Sequence, residues 1–127
     1  MRFTRTRKRA TAAVIAAVAM AGIGIGTASS AQAVPEGPYP FSTGGCAATE
    51  IIQLGGDGHD YMAIDPTANP GHCLFGVFDR NAWAWEPGEP TTSGAESPYW
   101  YDGPGQSLEA CLIDTANNNT WACGPIN

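Results

Sequence analysis

Four cysteines constrain the fold of this chain more than any other feature. Cys46, Cys73, Cys111 and Cys123 all lie between Val34 and Asn127, a stretch long enough for only one small domain. Such a domain buries a modest share of its surface, and an even number of cysteines in an exported chain indicates disulfides. We expect two, Cys46–Cys73 and Cys111–Cys123, because the second pair brackets a turn and each bridge then closes within its own half. A zinc site is the alternative, but the chain has no Cys-x2-Cys pair.

The first 33 residues have the three parts of a secretory signal peptide. A basic stretch that includes Arg2, Arg5 and Lys8 precedes the apolar run ATAAVIAAVAMAGIGIG, and the small residues AQA end at Ala33. A retained membrane anchor is the alternative reading, but that run is shorter than the roughly 20 residues needed to span a bilayer. We therefore expect export, cleavage near Val34 and a secreted, extracellular mature chain.

Removal of this leader would leave a strongly acidic chain. Five of the six basic residues lie in the leader and all twelve acidic residues lie beyond it, so the mature net charge is 1 − 12 = −11. Arg80 is then the one Lys or Arg. Nucleic acids and anionic lipids are bound mainly through clustered Lys and Arg, so neither is an expected partner of the mature chain. The charge keeps a secreted protein soluble, and it would also attract cations or a basic partner.

The pattern of residues 34–127 indicates strands and turns. Gly and Pro are frequent and scattered, and no long segment shows the 3.6-residue period of an amphipathic helix. YMAID and HCLFGVFD predict two strands around the turn PTANPG, and EACLID and TWACG repeat that plan around TANNN. CAATEIIQL fits a helix or a strand. We expect one all-β or β-rich domain at 34–127, made of short antiparallel hairpins in a sandwich or barrel, with an acidic Pro/Ser/Thr loop at 86–98.

A short pattern occurs twice. CLFGVFDRNAWAW begins at Cys73 and CLIDTANNNTWAC begins at Cys111, and both read Cys-Leu, six residues, then Asn-x-Trp-Ala. Aligning the two ID-TAN elements instead gives a different offset, so one duplication does not explain both matches. Asp and Asn are favoured in turns, and the pattern therefore predicts a hairpin used twice. In the second copy Cys111 and Cys123 would face each other, whereas Trp85 takes the corresponding position in the first.

Aromatic residues are the best candidates for a binding site. Trp83 and Trp85 precede the acidic loop, and Tyr99 and Tyr101 follow it. Alternate residues of a strand share a face, so the members of each pair would stand side by side, and the two segments would form one cluster if they paired across the loop. Exposed rings of this kind suit stacking on sugars or anchoring a protein partner. The alternative is that they form the core.

One acidic stretch, GGDGHDYMAID, offers two further kinds of site. Asp57, Asp60 and Asp65 could bind calcium weakly through their carboxylate oxygens, and His59 with Asp57 or Asp60 could act as the base and its orienting group in a hydrolase. The calcium-binding EF-hand pattern and the GxSxG motif are both absent from the sequence.

The sequence therefore predicts a secreted, acidic, monomeric binding protein without catalytic activity. Its expected partner is an extracellular polysaccharide or a secreted protein, bound through the aromatic residues named above. No cofactor is expected apart from weakly bound calcium. The two alternatives are a small secreted hydrolase that uses His59, and a secreted inhibitor of a hydrolase.

Overall fold

The computed structural model describes residues 34–127, so the predicted signal peptide at 1–33 lies outside the described residues. The described part contains eight strands and no helix, and hence no helix able to cross a membrane. The strands are β1 (Gly37–Thr43), β2 (Cys46–Leu54), β3 (Asp60–Ala68), β4 (Cys73–Asp79), β5 (Ala84–Thr91), β6 (Trp100–Asp102), β7 (Leu108–Asp114) and β8 (Thr120–Cys123).

The strands form two four-stranded antiparallel sheets that pack as a sandwich. The first sheet has the order β1-β2-β3-β6 and the second has the order β5-β4-β7-β8. Ile52 and Met62 of the first sheet and Val77 and Leu112 of the second belong to one buried cluster. Alternate residues of each strand therefore face this shared core, as the pleat of a strand requires. The all-β prediction is confirmed, and CAATEIIQL is strand β2.

Proline occupies the outer strands of the sandwich. β1 contains Pro38 and Pro40, β5 contains Pro87 and Pro90, and both strands lie at the edge of their sheet. Proline lacks the N–H that a central strand would donate to its neighbour, so it is tolerated mainly at edges. It also discourages pairing of an exposed edge with another chain.

The two strands predicted from YMAID and HCLFGVFD are present as β3 and β4, but they do not pair, because their connection crosses from one sheet to the other. β3 pairs with β2 and β6, whereas β4 pairs with β5 and β7. Both strands turn apolar side chains to the core. Because the two strands lie in opposite sheets of the sandwich, the apolar side chains of both are buried. The predicted hairpin of β7 and β8 is present.

Both predicted disulfides are present. Cys46–Cys73 links β2 to β4 and therefore joins the two sheets. Cys111–Cys123 links residues that are directly opposite each other in the β7–β8 hairpin. Two disulfides fit an extracellular environment, where such bonds persist.

The acidic segment at 86–98 is shorter as a loop than the sequence predicts. β5 continues through Thr91, so residues 86–91 are a strand, and residues 92–99 connect it to β6. β5 pairs with β4, which holds this proline-rich strand at the sheet edge.

Candidate functional site: a groove of three tryptophans

The outer face of the second sheet is apolar, although the outer face of a sandwich is usually polar. In β4, Phe75 and Val77 face the core, so Gly76 and Phe78 lie on the opposite face. Phe78 is paired with Trp85 on one side and with Glu109 on the other. The same face carries Phe78, Trp85, Ile113, Trp121 and the Cys111–Cys123 bridge, in agreement with the register of the four strands.

Three tryptophans surround Phe78. Its ring centroid lies 5.3 Å from that of Trp83, 5.2 Å from that of Trp85 and 6.0 Å from that of Trp121, with edge-on geometry in each case. Trp85 and Trp121 also contact each other, with centroids 5.0 Å apart. Edge-on contacts of this kind stabilise aromatic clusters beyond the area they bury. Phe78 is thereby covered and only 7% exposed.

The cluster lines an open groove with a volume of about 480 Å³, which is within the range of small-ligand sites. Its lining residues are Phe78, Arg80, Trp83, Trp85, Glu109 and Trp121. Trp83 is 71% exposed and Trp121 is 49% exposed, whereas Trp85 is half-buried between them. The groove therefore presents large apolar rings directly to solvent.

An ion pair forms the polar part of the groove. The Arg80 Nε donates a hydrogen bond to Oε1 of Glu109, whose side chain is almost fully buried. The hydrogen bond and the negative charge of Glu109 raise the pKa of Arg80. The guanidinium also lies 5.8 Å from the centroid of the Trp83 ring, within range of a cation–π contact. The one Lys or Arg of residues 34–127 thus neutralises a buried carboxylate beneath the tryptophans.

Gly76 provides the space in which Trp85 lies. A Cβ atom added at Gly76 would come within 2.8 Å of Cε3 of the Trp85 ring. Glycine at this position therefore allows the indole to approach the backbone of β4 closely.

Gly76→Ala should accordingly displace the Trp85 ring and lower the free energy of unfolding by about 1–3 kcal/mol, the usual cost of overpacking. Urea unfolding measures that loss, and acrylamide quenching of tryptophan fluorescence should increase in the folded variant. Unchanged quenching and stability would show that Trp85 does not rest on Gly76.

The structure separates the four residues predicted to form one aromatic platform. Trp83 and Trp85 line the groove, but Tyr99 precedes β6 and Tyr101 lies within it, in the other sheet. The two segments do not pair with each other, since β5 pairs with β4 and β6 pairs with β3, so the condition for a single cluster is not met. Tyr101 instead packs edge-on against Tyr61 and His59, on the outer face of the first sheet.

Trp121 is a groove residue that the sequence analysis did not select. The signal was present in the repeated pattern, because aligning Cys73 with Cys111 also aligns Trp83 with Trp121. β4 and β7 are the two central strands of the second sheet, and each turns back into an edge strand. The two copies of the pattern therefore bring their tryptophans to the same face from opposite edges.

The predicted calcium ligands do not form one group. Asp60 and Asp65 are five positions apart in β3 and so face opposite sides of the sheet. Asp57 lies in the preceding turn, where it accepts hydrogen bonds from the Tyr61 hydroxyl and the His59 backbone N–H. These hydrogen bonds lower the pKa of Asp57. Residues 34–127 contain two clusters of three ligand atoms that are close enough to share a metal. Both clusters use sulfurs of disulfide-bonded cysteines, and neither includes these aspartates.

The His59 ring makes no hydrogen bond to a carboxylate in the described part of the chain. Its backbone N–H contacts Asp57, while the ring packs against Tyr101, with centroids 5.3 Å apart. Asp60 is hydrogen-bonded to Asn127 instead. The base-and-carboxylate pair required by the hydrolase alternative is therefore not assembled.

Comparisons with known proteins give no relative from which a function could be transferred. No protein-family model matches the chain, and no curated protein or solved structure matches it either. Its function has to be inferred from the site.

Proposed function

We propose that the mature chain is a secreted, monomeric binding protein, and that the tryptophan groove binds an extracellular polysaccharide. The observation that carries this proposal is the position of Trp83, Trp85 and Trp121 on one outer sheet face, around an open groove. Contiguous exposed apolar surface is uncommon on monomeric proteins and commonly marks a binding site.

A sugar ring matches the groove in both its apolar and its polar parts. The C–H face of a pyranose is apolar and can stack on an indole ring, while its hydroxyl groups need hydrogen-bonding partners around the edge. The exposed rings of Trp83 and Trp121 offer the stacking surface. The Arg80–Glu109 pair supplies N–H donors and carboxylate oxygens in the same groove.

The charge of the chain disfavours an acidic ligand and favours a monomer. A net charge of −11 in residues 34–127 opposes close approach of a second copy or of an acidic polymer. A neutral polysaccharide is not repelled. Its binding should therefore depend little on salt, because no long-range charge attraction contributes.

Trp121→Ala should weaken polysaccharide binding at least tenfold, because truncation of a central aromatic anchor removes stacking area from both the ligand and Trp85. The measurement is retention of the mature protein on a panel of insoluble neutral polysaccharides, followed by titration of tryptophan fluorescence with oligosaccharides of the retained type. Tyr101→Ala is the matched control, since it removes an exposed ring from the opposite side of the sandwich. Equal loss in both variants, or no retention of the parent by any polysaccharide, would contradict the proposal.

A basic secreted protein is the second candidate ligand, and a hydrolase inhibited by this chain is one form of it. The acidic charge favours this partner, and Trp and Arg are the residue types that most often dominate protein interfaces. Association with such a partner should slow markedly as salt rises, whereas sugar binding should not. Pull-down from source culture fluid at low and high salt, with parent and Trp121→Ala, separates the two ligands.

A further inference from the structure

Two aspartates face each other across neighbouring strands at one end of the first sheet. β6 pairs with β3 in a register that places Asp102 directly opposite Asp60, on the face that carries Met62 to the core. Carboxylates in this cross-strand relation repel each other and destabilise a sheet unless a positive charge neutralises them. Residues 34–127 contain no Lys or Arg free to do this, since their one such residue, Arg80, is paired with Glu109.

The Asp102 carboxyl group is buried and incompletely hydrogen-bonded. Asp102 is 7% exposed, its Oδ1 accepts a long hydrogen bond, 3.4 Å, from the backbone N–H of Leu108, and the Asn127 side chain also interacts with its carboxyl group. Its Oδ2 is buried and has no hydrogen-bond partner among the described residues. A buried carboxylate oxygen without a partner destabilises the fold, so a cation bound at this atom would stabilise it.

The two aspartates line an open cavity of about 330 Å³. Gln106 and Asn127 also border it, and Asn127 orients Asp60 by donating a hydrogen bond of 3.0 Å from Nδ2 to Oδ2. The cross-strand register, the cavity and the unpaired oxygen together indicate a site for a cation.

We propose that Asp60 and Asp102 bind a calcium ion in this cavity. The available ligand atoms are oxygens, which calcium prefers, and Gln106 and water can complete its six to eight ligands. Zinc favours nitrogen or thiolate ligands, but all four cysteines are in disulfides, and the ring of His59, which also borders the cavity, packs edge-on against Tyr101. With two carboxylates the dissociation constant should be on the order of 10⁻⁴–10⁻³ M, the range of extracellular calcium modules. The proposed site shares Asp60 with the calcium site predicted from the sequence, but its second carboxylate comes from Asp102 and not from Asp57 or Asp65.

The test is the thermal unfolding of the chelator-treated mature protein in 10 mM CaCl₂, in 10 mM MgCl₂ and in NaCl of matched ionic strength. Calcium should raise Tm by about 5 °C or more above the NaCl value, because it binds only the folded state. Magnesium should do much less, since it requires a regular octahedral site. Asp102→Asn should abolish the calcium-specific rise while leaving the calcium-free Tm equal or higher, because it removes a buried like charge.

Asp65→Asn is the matched control, since Asp65 lies on the other face of β3, and it should keep the full calcium response. Trp121→Ala should also keep it, so failure of the groove proposal would leave this result unaffected. Equal stabilisation by all three salts, or a calcium response that survives in Asp102→Asn, would overturn the proposed site.

Discussion

Replacing Cys46 and Cys73 together by alanine should lower the free energy of unfolding by about 3–4 kcal/mol. This bridge closes a sequence separation of 27 residues and links β2 to β4, which belong to different sheets. Loss of this bridge therefore increases the conformational entropy of the unfolded chain considerably. Both sulfurs are fully buried in the shared core, so the substitution also removes packing between the sheets. Urea unfolding of the parent and the double variant measures the difference.

The matched control is the double variant Cys111→Ala/Cys123→Ala. Its bridge spans 12 residues within a hairpin whose strands are already paired, so the loss should be smaller, about 2–3 kcal/mol. If this variant lost more stability than the other, Cys46–Cys73 would not be the more important bridge, and neither its longer loop nor its linkage of the two sheets would set the contribution of a bridge.

Local sequence patterns were sufficient for the features that depend on near neighbours. The Cys111–Cys123 bridge follows from a turn of Asn residues between two short apolar segments, and the β7–β8 hairpin forms as that pattern predicts. The all-β class follows from frequent Gly and Pro together with the lack of helical periodicity. Both inferences need no knowledge of which strands meet across the molecule.

Long-range strand pairing is what the sequence could not specify. Trp85 and Tyr99 are close in the chain, yet their strands join different sheets, because the core is filled by facing β3 and β4 across the sandwich. Trp121 reaches Trp85 only because β4 and β7 are neighbours in the second sheet. The Asp60–Asp102 pair likewise depends on the pairing of β3 with β6. Each site therefore contains one residue that only the fold identifies.

Glu50 is the clearest case of a residue whose environment contradicts its type. It lies between Ala48 and Ile52 on the inward face of β2 and is fully buried. Its Oε2 accepts a hydrogen bond of 2.6 Å from the backbone N–H of Ala110, while Oε1 has no partner among the described residues. Burial raises the pKa of Glu50 from 4.5 to about 8, and the charges of Asp102 and Glu109 add to the rise. Glu50 is therefore protonated in the folded chain at neutral pH.

This raised pKa makes the fold less stable in alkaline solution. The folded state binds a proton at Glu50 up to about pH 8, whereas the unfolded state releases it near pH 4.5. Stability therefore falls as the pH rises from 4.5 to 8 and stays at the lower value above that range. The loss from Glu50 is on the order of 4 kcal/mol. Asp102, with a pKa raised to about 6, adds a loss of the same sign that is complete near that pH.

Glu50→Gln should remove the whole Glu50 contribution, which spans about pH 4.5 to 8, and leave only the Asp102 contribution below about pH 6. The amide keeps an oxygen for the Ala110 N–H but cannot ionise, so at pH 9 the variant should be more stable than the parent by about 3 kcal/mol. At pH 5 it should be equal or about 1 kcal/mol less stable, because the amide N–H groups find no acceptor in the core. Urea unfolding at pH 5, 7 and 9, in buffers with a calcium chelator, gives the three values.

Asp102→Asn is the control that separates the two carboxyl groups. It should make the fall in stability below about pH 6 less steep and leave the fall between pH 6 and 8 unchanged, because Glu50 contributes over the whole range from pH 4.5 to 8. A parent whose stability does not change between pH 6 and 8 would mean that Glu50 is already ionised in the folded chain. The buried carboxylate would then need a positive charge or a water molecule to stabilise it, because the single hydrogen bond from the Ala110 N–H is not enough.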